Sequence, residues 1–145
     1  MRGQAKLQKL SLLTSARVGH LATVDAEGKP YIVPVVFACD GHRIYIALDS
    51  KKKSASVERL KRVRNILENP RVAMIVDHYA EQWEELEYIL IHGTATLLKQ
   101  GKVHEAALDM LKAKYPQYQC MPLDKAPVIC INPERWVCWT AIDRH

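Results

Sequence analysis

At 145 residues the chain has room for a single domain with a substantial buried core. Its 48% hydrophobic and 26% charged residues exclude a disordered or fibrous protein and match an ordinary globular one. A formal charge of +5 points to an anionic partner: a phosphorylated cofactor, an acidic substrate or nucleic acid.

Met1 to Lys9 is polar and lacks the apolar centre of a signal peptide, and no stretch approaches the ~20 apolar residues of a membrane span. The expectation is a cytoplasmic protein with no membrane partner. Gln4 to Ala16, with Leu7, Leu10, Leu13 and Ala16 three apart, predicts an amphipathic opening helix. Val18 to Val24 reads as a strand, Asp25-Ala26-Glu27-Gly28 as a turn, and Lys29 to Ala38 as the partner strand of a hairpin. Tyr31 to Phe37 is apolar at nearly every position and so should be covered on both faces. Pro34 within it cannot donate to a ladder, so it marks an edge or bulge, where it either guards the edge or lets a ligand lie against the strand.

Cys39-Asp40-Gly41-His42 makes the next turn, and Arg43 to Leu48 the third strand, which opens through Asp49 and Ser50 into Lys51-Lys52-Lys53-Ser54. A strand that delivers lysines and a hydroxyl to a helix start fits a phosphate site, because the first helical amides lack partners and the dipole favours an anion. A solvated basic loop is the competing reading. Ala55 to Glu68 predicts a helix with Val57, Leu60, Val63 and Leu67 as its apolar stripe, stopped by Asn69-Pro70. That projection pairs Glu58 with Arg62 on the outward face and puts Arg64 in the stripe, where it must snorkel or meet an anion.

Arg71 to Val76 follows as a strand, then a polar stretch carrying Trp83, then a long strand from Glu87 to Leu98 in which Gly93 marks a bulge or a close approach. Val103, Ala106, Ala107, Met110 and Leu111 give a third helix ending before Pro116, and a loop from Gln117 to Pro127 precedes a strand at Val128 to Ile131. Asn132-Pro133-Glu134 turns into a last strand, Arg135 to Ala141, with Trp136 and Trp139 on opposite faces. About seven strands and three helices, joined mostly by short turns, predict a mainly β protein: an antiparallel barrel with flanking helices. Strands apolar on both faces predict a homodimer built on the barrel wall.

Catalytic motifs are missing: there is no GxSxG, P-loop or GxGxxG, and the six histidines and four cysteines have no metal-ligand spacing. The cysteines read as reduced structural thiols, no metal is expected, and Asp77 and His78 point to opposite faces of a strand. That lack is suggestive: where a cofactor carries the reaction, the protein need only hold and orient it. A tryptophan could wall a flat ring, with core or interface packing as the other role. Nucleic acid is disfavoured as a partner, because no aromatics interleave the basic residues of 51–64.

The order and spacing of several runs carry a resemblance. Gly19-His20-Leu21-Ala22-Thr23-Val24-Asp25, Val33-Pro34-Val35-Val36-Phe37 and the Lys51 to Lys53 run together resemble the pyridoxamine 5'-phosphate oxidase-like FMN-binding split-barrel superfamily. Arg62-Val63-Arg64-Asn65-Ile66, Asn69-Pro70-Arg71-Val72, Gln82-Trp83 and Lys114-Tyr115-Pro116-Gln117-Tyr118 resemble its deazaflavin (coenzyme F-420)-dependent branch. The similarity covers nearly the whole chain. The resemblance implies a homodimeric split barrel with FMN or the deazaflavin at the subunit interface. Val33, Pro34 and Val35 would lie along the ring; Lys51, Lys53 and Ser54 would hold the phosphate, with Arg59, Lys61 and Arg64 as further candidates. Trp83 and Trp136 would come from the second subunit. The chain departs from the branch at Glu84 to Ile91, where an aromatic pair and an arginine would be usual, and at Lys52, where a proline would be. The implied function is an oxidoreductase moving a hydride between the cofactor and a small organic molecule. The alternatives are an FMN-dependent oxidase of the pyridoxamine-phosphate type and a non-catalytic carrier or sensor of flavin or haem.

Overall fold

The computed structural model describes residues 9, 11–48, 59–121, 123 and 125–142. Its strands are β1 (Gly19–Val24), β2 (Pro30–Val35), β3 (Ala38–Cys39), β4 (Ile44–Ala47), β5 (Arg71–His78), β6 (Glu87–Leu98) and β7 (Val128–Thr140). Three helices accompany them: α1 over 11–15, α2 (Lys61–Glu68) and α3 (Lys102–Lys114). All seven strands form one sheet in the order β2-β1-β5-β6-β7-β4-β3, antiparallel at every pairing. The expected fold class holds.

The sheet is curled, and the chain itself requires it. β2 and β3 are the two edges of the sheet, yet only Val36 and Phe37 separate them in sequence. Six inter-strand steps in a flat sheet would span about 29 Å. Three residues of extended chain reach at most about 11 Å. The two edges are therefore drawn together at one end, giving a half-barrel.

Tyr115 secures that crossing. Its hydroxyl accepts from the Phe37 N–H at 3.1 Å and donates to the Arg17 carbonyl at 2.9 Å, with the Phe37 carbonyl 3.1 Å away. Phe37 is fully buried, so without this phenol its amide would have no obvious partner. Burial pushes the Tyr115 phenol up from its ordinary pKa, which keeps it neutral.

The turns follow the sequence. Asp25 Oδ1 accepts from the Glu27 and Lys29 amides, both at 2.9 Å, and Gly28 takes φ +86° to close the β1–β2 hairpin. Asp40 does the same between β3 and β4, accepting from His42 and Arg43 amides at 2.9 and 2.7 Å, while its second oxygen accepts from the Tyr45 hydroxyl at 2.9 Å. Gly93 sits at the β6–β7 irregularity, where an added Cβ would overlap the Asn132 carbonyl, so close approach fixes the glycine. One expectation changes here: Asn132-Pro133-Glu134 does not end a strand. β7 runs unbroken from Val128 to Thr140, and the bulge opposite Gly93 absorbs the proline.

Two cores result. One fills the barrel with Leu21, Met74, Val76, Ile89, Ile91, Ile129 and Ile131, closed by Leu12 and Leu13 of α1 and by Val63 and Ile66 of α2. The other lies under α3, where Ala107, Leu108 and Leu111 cover Tyr45, Ala47, Val128 and Cys130. Buried His104 of α3 donates from Nε2 to the Ala126 carbonyl at 2.7 Å, tying in the loop that leads to β7. All four cysteines are free thiols, as expected. No described helix is long and apolar enough to cross a membrane.

Candidate functional site

Lys51, Lys53 and Ser54 lie outside the described residues, and so do Val57 and Glu58. The remaining candidates fall on α2 and β2. Three side chains one turn apart on α2 hold the helix to the first hairpin. Lys61 Nζ pairs with Asp25 Oδ2 at 3.8 Å, Asn65 Nδ2 donates to Thr23 Oγ1 at 2.9 Å, and Glu68 Oε2 accepts from the Ala26 amide at 3.1 Å. Asp25 is held below the usual carboxylate range, chiefly by the Lys29 amide and further by the Glu27 amide and Lys61. Lys61 therefore has a structural partner, whatever else it contacts.

The helix faces differ from the projected ones. Val63, Asn65 and Ile66 are buried, Leu67 is 62% exposed, and Arg64 is exposed. Taking Leu67 for the core residue in place of Ile66 rotates the inferred face by about 100°. That error swings Arg64 inward and Arg62 outward. In the structure Arg64 leaves the apolar stripe and stands in solvent, and it is Arg62 whose Nε is buried, with no hydrogen-bond partner among the described residues. Asn65 Oδ1 is likewise buried and unpartnered there.

The start of α2 is electrostatically unusual. Leu60 at its N-cap offers no capping oxygen and the first turn holds no acidic residue, while Arg59, Lys61 and Arg62 crowd the positive end of the dipole. Each like-signed charge there costs on the order of 0.3–1 kcal/mol unless an anion offsets it. With the buried Arg62 Nε, this end of α2 has the donors and charge a phosphate needs. The inward turn of Arg62 escapes the sequence projection because Asn65, a polar residue, is part of the buried face through its bond to Thr23.

β2 is an edge strand paired with β1 alone. Pro30, Ile32 and Pro34 share its outer face and are exposed, whereas Val35 is buried and Val33 is partly buried against the barrel core. Of the three residues expected along a ring, Pro34 is the side chain open to solvent. Lacking N–H groups, Pro30 and Pro34 also blunt the edge. Trp83, in a 3-10 turn over Trp83–Glu85, is 66% exposed. Trp136 is partly buried against its own barrel, with Lys9 Nζ 3.9 Å from its ring centroid. Trp139 stands on the opposite face of β7, stacked on Tyr88 at 5.4 Å.

Two cavities lie away from α2 and β2. One of about 320 Å³ is bounded by His78, Glu84, Glu85, Glu87 and Thr140. The other, about 460 Å³, opens between α1, β3 and the end of α3, and includes Arg17, Cys39 and Lys114. Burial, with Arg17 adding to it, lowers the Lys114 ammonium to a pKa of about 8. Burial chiefly raises the Cys39 thiol, which keeps it protonated.

A family model described as pyridoxamine 5'-phosphate oxidase matches residues 6–140. A 5a,11a-dehydrotetracycline/5a,11a-dehydrooxytetracycline reductase from Streptomyces rimosus is 35% identical over 95 residues, which is 65% of this chain and 64% of that protein. The match thus spans less than two thirds of the relative's own length. Among solved structures, an F420 reductase aligns at 25% identity with a TM-score of 0.61, covering 88% of this chain and 94% of that one. An FAD-binding protein from Mesorhizobium loti aligns at 23% identity with a TM-score of 0.69, covering 91% and 90%. That last likeness is one of fold.

Proposed function

The chain belongs to the pyridoxamine 5'-phosphate oxidase family, and on that premise we propose that it is an oxidoreductase that holds a phosphorylated flavin or deazaflavin and moves a hydride between that ring and a small organic molecule. The observation that carries this reading is the start of α2: an uncapped, cation-flanked helix end beside a buried Arg62 Nε with no partner among the described residues. A phosphate is the group that those donors fit. The reductase names of two similar proteins support redox chemistry, and one of them supports the deazaflavin in preference to FMN.

When bound, the cofactor supplies the hydride chemistry; a deazaflavin has carbon where a flavin has its reactive ring nitrogen, which favours two-electron transfer and slows reaction with oxygen. The protein's part is to bind and orient. Arg62, with the first amides of α2 and with Arg59 close by, takes the phosphate; Lys51, Lys53 and Ser54 precede that helix in sequence and are assigned to the same group. Lys61 and Asn65 hold α2 to the hairpin, so the anion-binding end is fixed relative to β2. The ring is assigned to the outer side of β2 at Pro34, where backbone and a donor-free residue offer a flat, weakly hydrated surface.

A homodimer completes the reading. Pro34, His20, Ile75, Leu90 and Val137 are successive cross-strand neighbours on the outer face of the half-barrel. α3 packs against the outer face at β3, β4 and the beginning of β7, so among the described residues no helix is seen over this row. A second copy lying on that face would shield both the row and a ring on β2, with Trp83 as a contributed aromatic; Trp136 packs into its own barrel.

Titrating the purified protein with FMN and with F-420, followed by fluorescence, tests the proposal. Tight binding of one of them together with acceptor-dependent oxidation of its reduced form is the expected result. Binding of neither overturns it, and binding without turnover makes the protein a carrier.

A further inference from the structure

We propose that the groove between α1, β3 and the last turn of α3 is a second ligand site, which takes a small organic carboxylate: Arg17 and Lys114 grip the carboxylate, and Leu13, Ala38, Met110 and Ala113 receive an apolar body. This site goes beyond the cofactor reading and does not rest on it. None of its residues belongs to α2 or β2, and it opens beside β3.

The charge arrangement is the first support. Lys114 Nζ lies 3.8 Å from the Phe37 ring centroid and 5.4 Å from that of Tyr115, and Arg17 stacks its guanidinium over the other reach of the Tyr115 ring at 4.4 Å. Aromatic faces attract cations without neutralising them. Lys114 Nζ donates to the Leu13 carbonyl at 3.1 Å, which satisfies one of its three donors. Neither cation has a carboxylate within ion-pair distance among the described residues. Two cations therefore share this groove, Arg17 exposed and Lys114 half-buried, and burial followed by the nearby Arg17 disfavours the charged form of Lys114. A carboxylate in that groove would offset both charges and take up donors that these two side chains leave unused.

The walls supply the second support. A volume of about 460 Å³ is within the range of small-molecule sites, about 300–1,000 Å³. Apart from Thr14 and the protonated Cys39, the remaining lining is aliphatic, which suits a hydrocarbon or aryl body and offers nothing to the outer oxygens of an inorganic anion. The ligand class is therefore a monocarboxylate with an apolar end.

Isothermal titration of the full chain at pH 7 with sodium benzoate, sodium octanoate and inorganic phosphate tests this. Submillimolar binding of benzoate or octanoate, and none of phosphate, is expected. Lys114→Gln should weaken that binding roughly tenfold or more, as loss of a charge-assisted bond does. Ala113→Leu keeps both cations, sits on the exposed side of α3 and fills the apolar wall; it should weaken carboxylate binding while leaving the circular dichroism spectrum and FMN or F-420 affinity unchanged. Carboxylate affinity should also fall as pH rises through about 8. The proposal is overturned if neither carboxylate binds, if phosphate binds equally well, or if carboxylate binding survives both substitutions.

Discussion

Asn65 Nδ2 donates to Thr23 Oγ1 over 2.9 Å, and both side chains are shut away from solvent. This single bond joins the middle of α2 to the inner face of β1. Thr23→Val keeps the shape and removes the acceptor, leaving the Asn65 amide buried with nothing to bond. A loss of about 1–3 kcal/mol is expected, seen as a lower urea midpoint with an unchanged slope.

Arg62 and Arg64 provide a paired test of the anion site. Arg62→Ala should weaken FMN or F-420 binding roughly 10- to 100-fold, the loss of a hydrogen bond to a charged group. Arg64→Ala, on the solvent side of the helix, should change it by much less. Equal effects in a fluorescence titration would remove Arg62 from its assigned role. Lys51→Ala combined with Lys53→Ala is expected to weaken binding at least as strongly as Arg62→Ala.

Tyr115→Phe deletes a hydroxyl that serves backbone groups 78 and 98 residues away in sequence. The Phe37 amide would be left buried and unpaired, at a cost of about 1–3 kcal/mol. Thermal unfolding should show it, and hydrogen exchange at the Phe37 amide should rise well above that of its neighbours in β2.

The pH dependence of stability has a term from Lys114. Its folded pKa of about 8 is below the ordinary lysine value of 10.5, so between those two the unfolded chain binds the extra proton and stability rises with pH. Below about pH 8 the charged form is disfavoured equally throughout, and the term is flat. Tyr45, whose pKa burial and then Asp40 push up to about 12, and the raised cysteines act oppositely at alkaline pH. The difference in unfolding free energy between the wild type and Lys114→Gln cancels those groups. It should grow in favour of the wild type from pH 8 to 10; a flat difference would contradict the lowered pKa.

Leu90→Asp places a charge at the middle of the bare outer face without touching either core. Sedimentation velocity should give a dimer for the wild type and a monomer for the variant. A monomeric wild type would overturn the proposed dimer.

Much of this was legible in the sequence because it is local. Asp25 to Gly28 and Asp40 to His42 carry their own turn chemistry, Gly93 announces a close approach, and the long strand from Glu87 to Leu98 was delimited correctly. Where side chains act across the fold, the sequence was silent or misleading. Asn65 reads as polar surface and is core, because its partner Thr23 is 42 residues away, and that one residue turns the helix face and with it which of Arg62 and Arg64 is drawn inward. Asn132 to Glu134 carries strong turn chemistry, but Gly93 opposite lets the strand pass through. The Arg17 and Lys114 groove joins segments nearly 100 residues apart, with no motif to mark it.

The two-residue passage through Val36 and Phe37 makes the seam of the half-barrel asymmetric. At that end the edges are tied by the main chain and clasped by Tyr115, so they move as one. At the other end Pro30 begins β2 beside a turn held by hydrogen bonds and one ion pair. The covalent tie thus lies at the Phe37 end of the seam, while the hairpin turn at the Pro30 end is held to α2.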